Sequence, residues 1–255
     1  MYYLKMYTVQ LSSVTMSQLL RVNSTTHIFS FRPSTPIVLD PKKDYELALR
    51  SFHSYNSIPN IEKGDKFYYF DGEDKLNVIK FPAGCYEITD IEEFIRMKMD
   101  LENTTNPEQY FSLKPNNNTL QCEIFSKYKI SFKEPNNIGS ILGFSEKILN
   151  PNQTHSSDLP VNIIKVSTIH FEANITSGAF DGDRPAHTIY EFAVKVDPGY
   201  AIDETPANLL YLPVIPQREI INITVLALDQ DGHPVNFRGE NSTLVLELRA
   251  RSRWD

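Results

Sequence analysis

Along most of this chain, apolar and polar side chains alternate at every second position. The cleanest instance is "TLVLELRA", near the end. Leu244, Leu246, Leu248 and Ala250 point one way; Thr243, Val245, Glu247 and Arg249 point the other. Period two with one wet face predicts a half-buried strand. "REIINITVLALDQ" carries apolar residues on both parities and predicts a central strand covered on both sides for part of its length. "HTIYEFAVKV" puts Tyr190, Phe192, Val194 and Val196 on one face. In "VNIIKVSTIHFEANI" the phase changes. Ile164 and Val166 share one parity, whereas Ile169, Phe171 and Ala173 share the other. A bulge or bend near residues 167–168 would keep the whole run in one strand. "HIFSF", "DYELALRSFHSY", "KFYYF", "LNVIKF", "TLQCEIF" and "KYKISF" continue the theme in the first half. Pro- and Asn-rich breakers such as "RPSTP", "KPNNN" and "EPNN" separate them.

One segment departs from this pattern. In "TDIEEFIRMKMDL", Ile91, Phe94, Ile95 and Met99 fall at helical spacing. Asp90 as N-cap and Glu93 three residues later form a capping box, which predicts a helix over about 89–101. "NIGSILGF" predicts a second, minor turn of helix. Helices do not alternate with strands, so a parallel sheet is not indicated. About ten strands with irregular loops predict an antiparallel sandwich or barrel, with Greek-key or jelly-roll connections where loops exceed hairpin length.

Composition narrows the picture. The chain has 255 residues, 41% of them hydrophobic, enough for one large all-β domain. Thirteen Tyr and fifteen Phe accompany a single Trp. A net charge of −7 argues against duplex DNA binding, so nucleic acid is expected to bind at most weakly. Two cysteines, Cys85 and Cys122, lie in apolar, strand-like surroundings without zinc spacing and read as buried thiols. The opening "MYYLKMYTVQLSS" lacks the apolar core of a secretion signal, and no run reaches the roughly 20 apolar residues of a membrane span. The expectation is a soluble protein made inside the cell.

Candidate chemistry is sparse. In "DQDGHPVNFRGE" (229–240), Asp229, Asp231 and Glu240 sit where an EF-hand places ligands. But His233 falls at position five, and Pro234 replaces the glycine of the sharp turn. Asp231-Gly232 is better read as a hairpin turn that uses positive φ. The "HFE" of His170 and Glu172, with His187 or His233 as a third ligand, has the spacing of a non-haem iron site. A His and a Glu alternating with Ile169 and Phe171 are more simply the wet face of a strand. "DGED" (71–74) and "DGDR" (181–184) hold paired carboxylates in turn-like settings. No G-x-S-x-G, H-E-x-x-H or P-loop motif is present.

Several stretches in series resemble one family. "YELALRSFHSYNSIPNI", "FPAGCYEITDIEEFI", "NNIGSILGF", "SSDLPVNII", "HTIYEFAVKVDPGYAIDETPANLLYLPV" and "LALDQDGHPVNFRGENSTLVLEL" look like the minor capsid, or penton, protein of Polinton (Maverick) elements and adintoviruses. The resemblance runs from about residue 45 to the end, and its second half is the more specific. It implies a single jelly roll of two packed antiparallel sheets with one inserted α-helix. It further implies a virion structural protein, without catalysis or cofactor, that forms a homopentamer at icosahedral vertices beside a double jelly-roll major capsid protein. No metal and no small-molecule substrate are implied. Residues 1–26 then read as an N-terminal arm or edge segment and 27–255 as one jelly-roll domain. Tyr2, Tyr3, Tyr7 and Trp254 are candidates for subunit contacts. A jelly roll also serves glycan-binding modules, for which "KFYYFDGED" would be the sugar platform, and iron oxygenases.

Overall fold

The computed structural model of the chain describes residues 17–62, 64–101 and 104–252. Tyr2, Tyr3, Tyr7 and Trp254 lie outside the described residues. Eight strands form a two-layered body: β1 (Ser17–Ser24), β2 (Ile28–Phe31), β3 (Lys43–Tyr55), β4 (Thr168–Ala173), β5 (Thr188–Ala193), β6 (Ala201–Glu204), β7 (Ile223–Asp229) and β8 (Ser242–Ser252). One sheet has the order β1-β8-β3-β6 and the other β5-β4-β7-β2, and all pairs are antiparallel. First pairs with last, second with seventh, third with sixth, fourth with fifth. That is a long antiparallel ribbon rolled up on itself, and it identifies a jelly roll.

The facing sides of the two sheets supply the core. Phe29, Phe52, Phe171 and Phe237 are fully buried there, and Leu244, Leu246 and Leu248 of β8 line it. The outward parity of β8 is wet, as its pattern predicts, except at Glu247. That carboxylate is covered because the Tyr211 hydroxyl donates to it at 3.0 Å and Arg50 approaches at 3.3 Å. At the sheet edges, Tyr190 of β5 donates to Glu204 of β6 at 2.7 Å, tying the two layers together. Burial and that carboxylate push the phenol up to about 12.

Between β3 and β4, residues 61–163 build a second core, larger than the single inserted helix the sequence predicts. A four-stranded sheet (order Ile148–Leu149, Lys129–Ser131, Lys66–Phe70, Leu76–Lys80) and a three-stranded sheet (Gln153–Ser156, Gln121–Ser126, Phe111–Asn116) enclose Phe67, Phe111, Ile124 and Phe132. Helix α1 (Ile88–Lys98) closes this core with Ile88, Ile91 and Ile95. The strand registers put the 24–28, 193–201 and 229–242 connections at the same end of the roll as this insertion.

Three local expectations change. The helix begins earlier than 89, with Glu87 as N-cap and Asp90 at N3, where its Oδ2 accepts the Glu87 N–H at 2.8 Å. Glu93 therefore falls inside the helix, outside the capping box; burial of Ile88 against the second core selects the earlier start. The run at 161–175 is not one bent strand. Ile163 packs on the insertion core and Val166 on the roll core, so the phase change marks the crossing from one to the other. The bulge lies instead at Phe171/Glu172, opposite β5, where the register skips Ile189. Ile189 and Phe192 consequently both face inward, which breaks the parity expected from Tyr190 to Val196.

Candidate functional site

Within the 229–240 segment, residues 230–232 form a three-residue hairpin loop. The Asp229 N–H donates to His233 O at 2.8 Å and the Gly232 N–H to Asp229 O at 3.0 Å. Of the residues in the loop, only Gly232 has positive φ, +78°, as in a type I turn closed by a left-handed residue. Asp231 sits in the turn ahead of it, so the loop is one residue longer than a two-residue Asp-Gly hairpin. The Asp229 carboxylate lengthens it: one oxygen, Oδ1, accepts the N–H of Asp231 at 2.9 Å and of His233 at 2.8 Å. Asp229, Asp231 and His233 place ligand atoms within 4.8 Å of one another. That proximity follows from the Asp229 cap, since the shared oxygen is already committed to two backbone donors. Beyond the turn, Val235 and Phe237 plug the core, and Phe237 O accepts the Ser57 hydroxyl at 2.6 Å.

The "HFE" residues alternate with buried Ile169 and Phe171 on the outer face of β4. His170 and Glu172 approach to 3.9 Å, and in the register His170 stands between Glu191 and Leu228. Nδ1 of His187 is 2.6 Å from the Thr176 carbonyl, so it must carry the proton and donate there. Among the described residues the three do not gather into a cluster within ligand reach of one another.

A cleft of about 730 Å³ separates the roll from the root of the insertion, lined by Asn56, Ile58, Cys85, Tyr86, Lys165 and Val194 among others. Asn60 lines it and pins Tyr86 and Ile163 of the insertion together, a role the sequence did not signal. Its Nδ2 donates to Tyr86 O at 2.7 Å and Ile163 O at 3.0 Å, and its Oδ1 accepts the Tyr86 N–H at 2.9 Å. The Lys165–Glu62 pair at 2.6 Å adds a second tie. Both cysteines are free. The Cys85 thiol donates to Ile58 O at 3.1 Å, and burial raises its pKa. Burial pushes Cys122 up to about 12. Thiols held neutral are poor nucleophiles, and among the described residues no histidine lines the cleft.

"KFYYFDGED" presents no open aromatic platform. Phe67 and Tyr68 are buried, Tyr69 packs on Tyr128 at 5.7 Å, and the Lys129 ammonium covers the Phe70 ring at 4.3 Å. Asp71 is spent on its own turn. It accepts from Asn77 Nδ2 and from the N–H groups of Glu73 and Lys75, and the Asn77 bond leads in lowering its pKa. Asp181 and Arg184 face each other across a short hairpin tip. No helix of the described residues is long and apolar enough to cross a membrane.

No protein-family model and no curated protein matches the chain. Among solved structures, it is similar to the selenomethionine-labelled mavirus penton protein. The identity is 13% and the TM-score 0.49, over 92% of this chain and 100% of that one. The fold assignment rests on the strand order.

Proposed function

We propose that the chain is a structural subunit of a viral capsid, a penton protein that closes into a homopentamer at icosahedral vertices beside a double jelly-roll major capsid protein. One observation carries the reading: of the segments that resemble Polinton and adintovirus pentons, those at 45–61, 187–214 and 226–248 supply β5, β6, most of β3 and β8 and part of β7 of a single jelly roll with strand order β1-β8-β3-β6 over β5-β4-β7-β2, and the others belong to its insertion. In support, Asp229 and Asp71 spend carboxylate oxygens on their own turns and His187 holds a backbone carbonyl. Each contact between copies would be heterologous, one surface on a different surface of the next copy, and such contacts close into a ring when the rotation fits. Modest interfaces repeated around the ring sum by multivalency. The net charge of −7 keeps free copies apart at low ionic strength. On this reading the protein resides in the virion and has no catalytic role.

The test is mass in solution together with electron microscopy, alone and with the major shell protein. The expected result is a five-membered ring in at least one of the two conditions. Monomers in both, or rings of another size, overturn the proposal.

A further inference from the structure

The outer strand of the insertion's four-stranded sheet, Leu76–Lys80, has one side paired with Lys66–Phe70 and, among the described residues, no strand paired on the other. Its inward side chain Ile79 is in the core, whereas Leu76 and Val78 are 38% and 46% exposed on the opposite face. On that same face the register sets Lys66 directly opposite Lys80. Like charges in that position repel. Neighbouring lysines are matched: Lys129 pairs with Asp74 at 2.6 Å and Lys147 with Asp158 at 2.7 Å. Among the described residues no carboxylate is paired with Lys66 or Lys80. An unblocked edge, two apolar side chains two residues apart and an unneutralised lysine pair therefore lie together.

We propose that this edge is a docking site for an extended peptide segment of a partner protein, one that carries an acidic and two apolar residues at successive alternate positions, so that all three share one face, and adds as a further strand. The free backbone groups of the edge supply main-chain hydrogen bonds. Leu76 and Val78 receive apolar side chains, and Lys66 and Lys80 receive carboxylates. The lysines also fix the choice of partner. Edge lysines oppose pairing with the same edge of a second copy, and the same charge selects an acidic strand. An anionic glycan would use the charge but not the aliphatic pair, and the nearby rings are covered, so the peptide is favoured. The site is independent of the capsid reading and can fail without it.

The probe is a fluorescein-labelled octapeptide with glutamate, valine and valine at three successive alternate positions and threonine elsewhere, followed by fluorescence polarisation with the full chain. Binding is expected and should weaken with salt. In a Lys66→Glu/Lys80→Glu variant it should fall by at least about tenfold, and in Lys66→Gln/Lys80→Gln by less. Circular dichroism melts confirm that both variants fold. Methylating alternate peptide nitrogens should abolish binding, because strand addition needs those donors. The proposal is overturned if the octapeptide does not bind, if it binds equally after charge reversal or methylation, or if a sialylated trisaccharide binds and displaces it.

Discussion

Phe52 lies at the centre of the roll's aromatic packing. Its ring centroid is 4.9 Å from Phe171, 5.9 Å from Phe237 and 6.1 Å from both Phe29 and Phe192. These partners come from β2, β4, β5 and the 229–242 connection, so one side chain links both sheets and the loop that plugs their end. Phe52→Ala would leave a cavity that four rings on four different segments cannot all collapse into. The expected loss of stability is about 3–5 kcal/mol, read by chemical denaturation of the roll. The alternation in "YELALRSFHSY", followed from Leu47 and Leu49, puts Phe52 on the outward parity, and only the bulge at Arg50 turns that ring inward. Nor does it mark Phe52 as the centre, because the other rings are distant in sequence. Asp229 shows the same limit in reverse. Its spacing from Asp231 and His233 reads as ligation, and only the loop geometry shows one carboxylate oxygen holding two backbone donors.

Elements were legible where a single face met a single core. β8 was, because its whole length separates the roll's interior from solvent. β5 was not, because a bulge adds one residue and turns Ile189 inward. The helix was legible as a helix, but two acid-x-x-acid pairs, Glu87/Asp90 and Asp90/Glu93, compete for its start, and burial of Ile88 decides between them. The stretch 143–159 carries no strand pattern in sequence, yet it holds two short strands and its ends form a clasp. Gly143 O accepts the N–H groups of Asp158 and Leu159. A Cβ on Gly143, at φ +79°, would lie 2.2 Å from Leu159 O. The Asp158 carboxylate takes Lys147 Nζ at 2.7 Å and both the N–H and hydroxyl of Ser145. Led by the Lys147 bond, these donors hold its pKa well below the usual carboxylate range. A lowered acid pKa stabilises the fold fully above the unfolded value, near pH 4, and that contribution is lost as pH falls through the folded one. Asp158→Asn should therefore melt below the parent at pH 7, and the gap should narrow as pH drops below about 4. Thermal melts at stepped pH check this; a gap that widens with acid would contradict it.

At the scale of the whole molecule, alternation tells which side chains are buried but not in which core. Nothing in the pattern separates Ile61 or Phe67, in the insertion, from Phe52, in the roll. The partition of 61–163 from the remainder was therefore invisible in sequence, although four of the seven strands of its two sheets were visible. It rests on three facts. The two cores are separate clusters. The cleft of about 730 Å³ at the junction leaves much of that seam unpacked. And the chain enters and leaves the insertion side by side, with Asn60 Nδ2 3.0 Å from Ile163 O. Ends that already touch can be joined by a short Gly–Ser linker at little entropic cost, because closure cost grows only slowly with loop length. Excising 61–163 in this way should leave a roll that still unfolds cooperatively with β-type circular dichroism, since its core cluster draws no residue from that segment. The excised segment, expressed alone, should show its own cooperative melt, since its core is equally self-contained. If neither piece has a cooperative transition, the two cores are one folding unit. If the excised roll folds and also forms the same ring as the full chain, the contacts between copies lie on the two sheets. A folded roll that no longer associates assigns those contacts to the insertion.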